Sequence, residues 1–317
     1  MLVSAIFLVI GFVILIKGAD LFVDGACSIA RILKISDLVI GLTIVAFGTS
    51  APELIVNIMA SIQGSTNLAI ANITGSNISN IFLVLGISAI IWPLTVEKGT
   101  VWKEIPFCLL AAIILAITGL DKIIDNRDHS VLSRIDGFVF LGFFILFMYY
   151  AFSISKTNEE QSDTKTLGIT KSILFIILGI AGLTLGGKWI VDNAVNIARY
   201  LKISESFIGL TVVALGTSLP ELVTSIVAAR KKKADIAVGN VVGSNIFNIF
   251  FILGISSVIK PLAVDEGFYI DISVTLFATF LLFLSMFTGK KHTIDRFEGI
   301  IFVVLYVVFI VFRYNFQ

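Results

Sequence analysis

The 317-residue chain writes one stretch of sequence twice, at an offset of 168 residues. Residues 30–60 match 198–228 at 20 of 31 positions, and residues 69–90 match 237–258 at 13 of 22. A weaker match carries Gly11–Arg31 onto Gly179–Arg199. Two similar apolar helices would not reproduce Asn, Ser, Thr, Pro and Glu position by position. The chain therefore reads as two copies of one unit.

Each copy is strongly apolar. Hydrophobic residues make up 57% of the chain and charged residues 14%, with a mean hydropathy of +1.01. Soluble domains carry about 25% charged residues, so the pattern predicts an all-α polytopic membrane protein. A spanning helix needs roughly 20 apolar residues. Ten such spans can be read, at 2–19, 36–62, 67–92, 103–120, 135–153, 169–187, 204–229, 234–259, 267–288 and 297–313. The longest polar connector, with Lys156, Glu159, Glu160, Asp163 and Lys165, separates a first five-helix repeat (1–153) from a second (169–317), leaving 154–168 as linker. Five is odd, so the second copy enters the membrane from the opposite side. The two repeats are expected to have inverted topology, an architecture of secondary transporters with the substrate site near the midplane.

With the N-terminus outside, 15 of the 23 Lys and Arg fall on the cytoplasmic side. That bias predicts a multi-pass protein of the cell membrane with both termini extracellular and the linker cytoplasmic. The apolar N-terminus belongs to the repeat, so it reads as a retained span and not as a signal peptide.

The most expensive residues lie at corresponding places. Gly48-Thr49-Ser50-Ala51-Pro52-Glu53 recurs as Gly216-Thr217-Ser218-Leu219-Pro220-Glu221. Proline inside a helix frees a backbone carbonyl, and an ionisable group at membrane depth costs about 3 kcal/mol or more. Carbonyls, hydroxyls and a Glu then meet at one point, an all-oxygen setting suited to hard cations such as calcium. Thr49, Glu53 and Asn57 share a helix face at i, i+4 and i+8, and Thr217, Glu221 and Ser225 repeat it. In the next span of each copy, Asn72, Ser76 and Asn80 form a polar stripe, matched by Asn240, Ser244 and Asn248. Ser76, Asn80, Ser244 and Asn248 are expected to line the site. Asn77 and Asn245 lie off the stripe and are assigned to helix packing by hydrogen bonds. Gly75 and Gly243 are expected to let neighbouring backbones approach.

Other charges have plainer readings. Asp20, Asp24, Asp192 and Lys188 sit at or just past expected span ends, where solvation at the interface is the plainer reading and a vestibule or gate contact the alternative. The run Arg230–Lys233 reads as a membrane anchor and not a nucleic-acid site. Cys27 and Cys108 have no metal-ligand spacing and read as unpaired thiols.

These paired GTSxPE and GNxxGSNxxN-like motifs, separated by a linker, resemble those of the sodium/calcium exchangers in the cation/calcium antiporter superfamily, the prokaryotic members above all. The resemblance implies ten helices, one calcium site flanked by sodium sites, and first and sixth helices that slide against a rigid core. Carried over by position, Glu53 and Glu221 would ligate calcium with the backbone carbonyls of Thr49 and Thr217. The carbonyls of Ala46 and Ala214, with Ser50, Ser218, Ser76 and Ser244, would serve the outlying sodium sites. Asn80 and Asn248 would take the middle position. Members of the family often carry Asp where this chain has Asn248, so only two carboxylates enter the pocket, which argues against potassium dependence. The family exchanges three sodium ions for one calcium ion, which would move one net charge per cycle.

The expected function is a Na⁺/Ca²⁺ antiporter working by alternating access, with Ca²⁺ and Na⁺ competing for the two Glu. An H⁺/Ca²⁺ antiporter of the same superfamily is the alternative. A cation channel would need no counter-ion, and a receptor or scaffold would leave the buried Glu pair unexplained. No enzymatic activity and no cofactor beyond the transported ions are expected. The expected partners are Ca²⁺, Na⁺ and the lipid bilayer, with no nucleic acid and a monomeric state.

Overall fold

The computed structural model describes residues 2–124, 129–155, 167–202 and 214–315. It is mostly helical. The first long helix, α1, is Leu2–Leu33. It is followed by a broken pair, α2 (Asp37–Thr49) and α3 (Ala51–Gln63), bent by 48°. Then come α4 (Thr66–Ile91) and α5 (Thr100–Thr118). The short α6 (Asp121–Ile124) and α7 (Arg134–Ser153) follow. The second half has α8 (Ile169–Tyr200), α9 (Ala214–Thr217) and α10 (Leu219–Arg230). It ends with α11 (Ala234–Ile259), α12 (Glu266–Ser285) and α13 (Arg296–Asn315).

Among the described residues eight helices are long and apolar enough to cross a membrane, and nine if the bent pair is one span. The expected span 204–229 begins outside the described residues, so ten spans are not seen directly. Two expected spans are longer than read. The segments 2–19 and 169–187 continue to Leu33 and Tyr200 as 32-residue helices. At 1.5 Å per residue each is about 48 Å long, well beyond a ~30 Å hydrocarbon core. Asp20, Asp24, Lys188 and Asp192 therefore lie within helices and not past their ends.

Glycine seams set the packing. In α1, Gly11, Gly18 and Gly25 recur every seven residues; Gly11 and Gly18 face Gly186, Gly182 and Gly179 of α8, and Gly25 faces Ser172 and Ile176. A Cβ on Gly18 would stand 2.8 Å from the Leu183 nitrogen, and one on Gly179 would stand 2.6 Å from the Phe22 Cβ. Small residues let helices approach this closely in lipid, where apolar burial between helices gives little drive. The second seam joins α11 to α2. A Cβ on Gly239 would lie 2.9 Å from the Leu38 carbonyl oxygen, and one on Gly243 2.7 Å from that of Leu42. Gly243 thus serves as expected. At Gly75 no described atom lies within 4 Å of an added Cβ, so the close approach expected there is not seen among the described residues.

Short antiparallel pairings tie the loops. Strand β1 (Leu94–Thr95) pairs with β4 (Thr293–Ile294), and β2 (Val131–Leu132) pairs with β3 (Leu262–Ala263). The Ser36 nitrogen donates to the Ser155 carbonyl at 3.3 Å. Asp20 and Asp24 are not merely solvated, since Lys231 reaches them at 3.4 and 2.7 Å. Lys233 takes Asp37 at 2.6 Å, and Lys232 lies over the Trp92 ring at 4.9 Å. Lys231, Lys232 and Lys233 of the basic run therefore tie separate helices together. Both cysteines are buried and free.

Candidate functional site

The break between α2 and α3 falls at Ser50, whose backbone sits at φ −83°, ψ 6°. Its counterpart Ser218, between α9 and α10, has φ −84°, ψ 1°. Pro52 and Pro220 lie in the first turn after each break. There a missing N–H is harmless, because first-turn amides have no intrahelical partner. The prolines thus start a second helix instead of kinking a continuous one. Glu53 and Glu221 consequently occupy first turns, where the positive end of the helix dipole favours a carboxylate.

Both carboxylates are buried, each 1% exposed. Ser50 Oγ donates to Glu221 Oε1 at 3.1 Å, and Ser76 Oγ donates to Glu53 Oε1 at 3.4 Å. Ser50 immediately precedes the helix that bears Glu53, so this bond places the two breaks against each other. The second oxygen of each carboxylate, Oε2, has no hydrogen-bond partner among the described residues. Ser218 Oγ, Asn80 Oδ1 and Asn248 Oδ1 are bare and buried as well. A buried polar atom left unpaired is unfavourable by a few kcal/mol. These five oxygens, left bare, are of the chemical kind that ligates a desolvated hard cation.

The remaining expected residues fall around this core. Thr49 is fully buried, with its Oγ1 3.1 Å from the Val45 carbonyl, 3.2 Å from that of Ala46 and 3.0 Å from Asn240 Oδ1. Ser244 Oγ is 3.5 Å from both the Ala46 carbonyl and Thr49 Oγ1. Thr217 is half-buried at the end of α9, and Ala214 begins that helix. Asn80 opens and Asn248 is second in π-type turns within α4 and α11, at Asn80–Leu85 and Phe247–Leu253, a distortion common at functional sites. Among the described residues no group of three His, Cys, Asp or Glu stands close enough to hold a metal.

Two roles were missed in the sequence. Asn240 is more than a stripe residue. Its Nδ2 donates to Ser225 Oγ at 3.0 Å and to the Glu221 carbonyl at 3.4 Å, while its Oδ1 accepts from Thr49. It joins the two breaks by a second route. Asn77 and Asn245 do pack helices together, but they do so at the centre, bonded to each other's backbones and to Asn248 and Asn80. The equality of the motif copies was the available signal, since Asn77 and Asn245 are identical under the 168-residue shift.

The family model described as sodium/calcium exchanger protein matches residues 3–153 and 171–315. This chain belongs to the sodium/calcium exchanger family. It is 33% identical to the sodium/calcium exchanger MaX1 of Methanosarcina acetivorans, over 98% of each chain. It is 37% identical to an uncharacterized membrane protein of Methanocaldococcus jannaschii, over 95% of each. A solved structure of the sodium-calcium exchanger NCX_Mj, soaked with Na⁺ and Ca²⁺, superposes with a TM-score of 0.84 at 35% identity and 98% coverage of both chains. In this exchanger-family chain, Glu53 and Glu221 combine burial, charge and a bare oxygen within the repeated motif, while Glu104, which shares those properties outside it, accepts from Tyr150 Oη.

Proposed function

We propose that this protein is a Na⁺/Ca²⁺ antiporter in which the ions compete for a site built on Glu53 and Glu221. The observation that carries the reading is the burial of two carboxylates, each at the start of a helix after a break, joined through the Ser50–Glu221 bond and each with an oxygen left unpaired. Two Glu and one Ca²⁺ are locally neutral, so calcium compensates charges that would otherwise be stranded in a low-dielectric interior. Sodium ions on the same carboxylates exclude calcium, and that exclusion couples the two fluxes. The Thr49 and Thr217 carbonyls complete the calcium site in this reading. The Ala46 and Ala214 carbonyls with Ser50, Ser76, Ser218 and Ser244 hold the outlying sodium ions, and Asn80 and Asn248 face the middle position.

Loop contacts support ten crossings in two inverted halves. Groups bonded to each other outside the membrane lie on one side of it, so an even number of crossings separates them. The β2–β3 pairing brings residues 131–132 to 262–263. Three full spans, α7, α8 and α11, lie between them, and the segment containing α9 and α10 supplies the fourth. The Ser36–Ser155 bond encloses α4, α5 and α7, and the broken pair α2–α3 supplies the fourth there. The reciprocal contacts support the same division into 1–153 and 169–317. Gly11 meets Gly186 while Gly18 meets Gly179, and each pair is the image of the other under the 168-residue shift, as in a two-fold interface. Alternating access would follow from movement of α1 and α8 against the rest.

The test is calcium uptake into proteoliposomes driven by an outward sodium gradient, with pH clamped on both sides. Uptake that follows the sodium gradient is the expected result; uptake that follows only a proton gradient would replace Na⁺ by H⁺ as coupling ion. A Glu53→Gln or Glu221→Gln protein exchanging calcium at the parental rate would remove the proposed site.

A further inference from the structure

An asparagine side chain ends in a donor and an acceptor of similar shape, so its hydrogen bonds decide which end faces a cavity. At the centre of this protein the choice begins at the backbone. Asn245 Nδ2 donates to the Asn77 carbonyl at 3.3 Å, and Asn77 Nδ2 donates to the Asn245 carbonyl at 3.4 Å. A carbonyl can only accept, so each of these amides must turn its NH₂ there. Its Oδ1 is then left to accept from elsewhere. Asn80 Nδ2 donates to Asn245 Oδ1 at 3.0 Å, and Asn248 Nδ2 donates to Asn77 Oδ1 at 2.9 Å. An accepting oxygen admits only the NH₂ end of its partner. The Asn80 and Asn248 oxygens are thereby turned away from this clasp, buried and without a hydrogen bond among the described residues.

We infer that Asn77 and Asn245 are positioning residues, which hold the Asn80 and Asn248 amides with oxygen, not NH₂, presented to the transported cations. This rests on the reading of the Glu53–Glu221 pocket as the cation site. The arrangement crosses between the halves: Asn245 orients Asn80, and Asn77 orients Asn248. Neither half presents a correctly turned amide without the other. An amide that has lost its acceptor would turn its N–H groups to the cavity, where they repel a cation and compete with it for the carboxylate oxygens. The clasp also explains how neutral amides serve where an acidic side chain, with oxygen at both ends, needs no such orientation.

The experiment compares Asn80→Ala, Asn245→Ala, the double variant and Asn245→Asp in proteoliposomes, measuring half-saturating Ca²⁺ and Na⁺ and the maximal rate. Asn245→Ala is expected to raise the half-saturating concentrations roughly tenfold, the scale of one hydrogen bond to a charged group, with the maximal rate changed far less. The double variant should be little worse than Asn245→Ala, because both remove the same interaction. Asn245→Asp, in protonated form, keeps an acceptor for Asn80 and a donor for the Asn77 carbonyl, and should bind within twofold of the parent. If Asn80→Ala weakens binding and Asn245→Ala does not, the positioning role is overturned and the site stands. If Asn80→Ala has no effect while Glu53→Gln abolishes exchange, Asn80 is no ligand and the inference falls. If Glu53→Gln also has no effect, the site itself was misplaced. Should Asn245→Ala not fold, the Asn77→Ala and Asn248→Ala pair repeats the test, and a tenfold loss in Asn245→Asp would overturn the inference by itself.

Discussion

Single side chains divide into those that bind and those that hold the bundle together. In the proposed site Ser50 belongs to both groups, because it bonds Glu221 from across the interface. Ser50→Ala strips the remaining oxygen of that carboxylate of its donor. It is expected to shift the calcium dependence of exchange by roughly tenfold, as a charged-group hydrogen bond would; a titration of uptake against Ca²⁺ reads this. Away from the site, Arg313 Nε binds Asp271 Oδ1 at 2.9 Å, with the two side chains 19% and 7% exposed. Arg313→Met strands the buried aspartate and should destabilise the protein by about 3–5 kcal/mol. Asp271→Asn with Arg313→Met should recover most of it. Thermal unfolding in detergent checks both; equal losses in the two variants would show that the pairing itself matters little. Glu53 and Glu221 were legible as a pair because the repeat places each behind a proline. The turning of Asn80 by Asn245 was not legible, since it depends on a partner 165 residues away.

At the scale of elements, the prolines were read correctly as interruptions but their place differs. Each break falls two residues earlier, at Ser50 and Ser218, and the proline heads the new helix. Residue type predicts that a helix is disturbed there; which side of the proline remains helical is settled by the packing around it. The same holds for the lengths of α1 and α8. Apolar content suggested an end near residues 19 and 187, yet each helix continues along its partner through a glycine seam. Gly18→Val or Gly179→Val would push side chains into the facing backbone. Overpacking of that kind destabilises by about 1–3 kcal/mol. The expected outcome is a lower unfolding temperature for either variant than for Gly142→Ala, where no described atom lies within 4 Å of the added Cβ. Unchanged melting of Gly18→Val would mean that the helices separate freely.

For the whole molecule, the parity of crossings makes a sharp prediction about sidedness. Lys122 precedes β2, and Lys290 precedes β4. With ten crossings and an external N-terminus these lie on opposite sides, Lys122 outside and Lys290 in the cytoplasm. Single cysteines at the two positions, introduced in a background where buried Cys27 and Cys108 are replaced by Ala, should label from opposite sides with a membrane-impermeant maleimide. Labelling of both from one side would remove the inverted arrangement and with it the proposed symmetric site.

The sequence by itself determined that the chain is membrane-embedded, because hydropathy depends only on composition along short windows. It also determined that two segments repeat one set of polar residues, because the copies keep Asn, Ser, Thr, Pro and Glu in the same order. Only the tertiary structure decided which atoms of those residues are left unpaired. Hydrogen-bond partners are assigned between segments far apart in the chain, and an amide or carboxylate keeps the same letter whether its oxygens are bonded or bare.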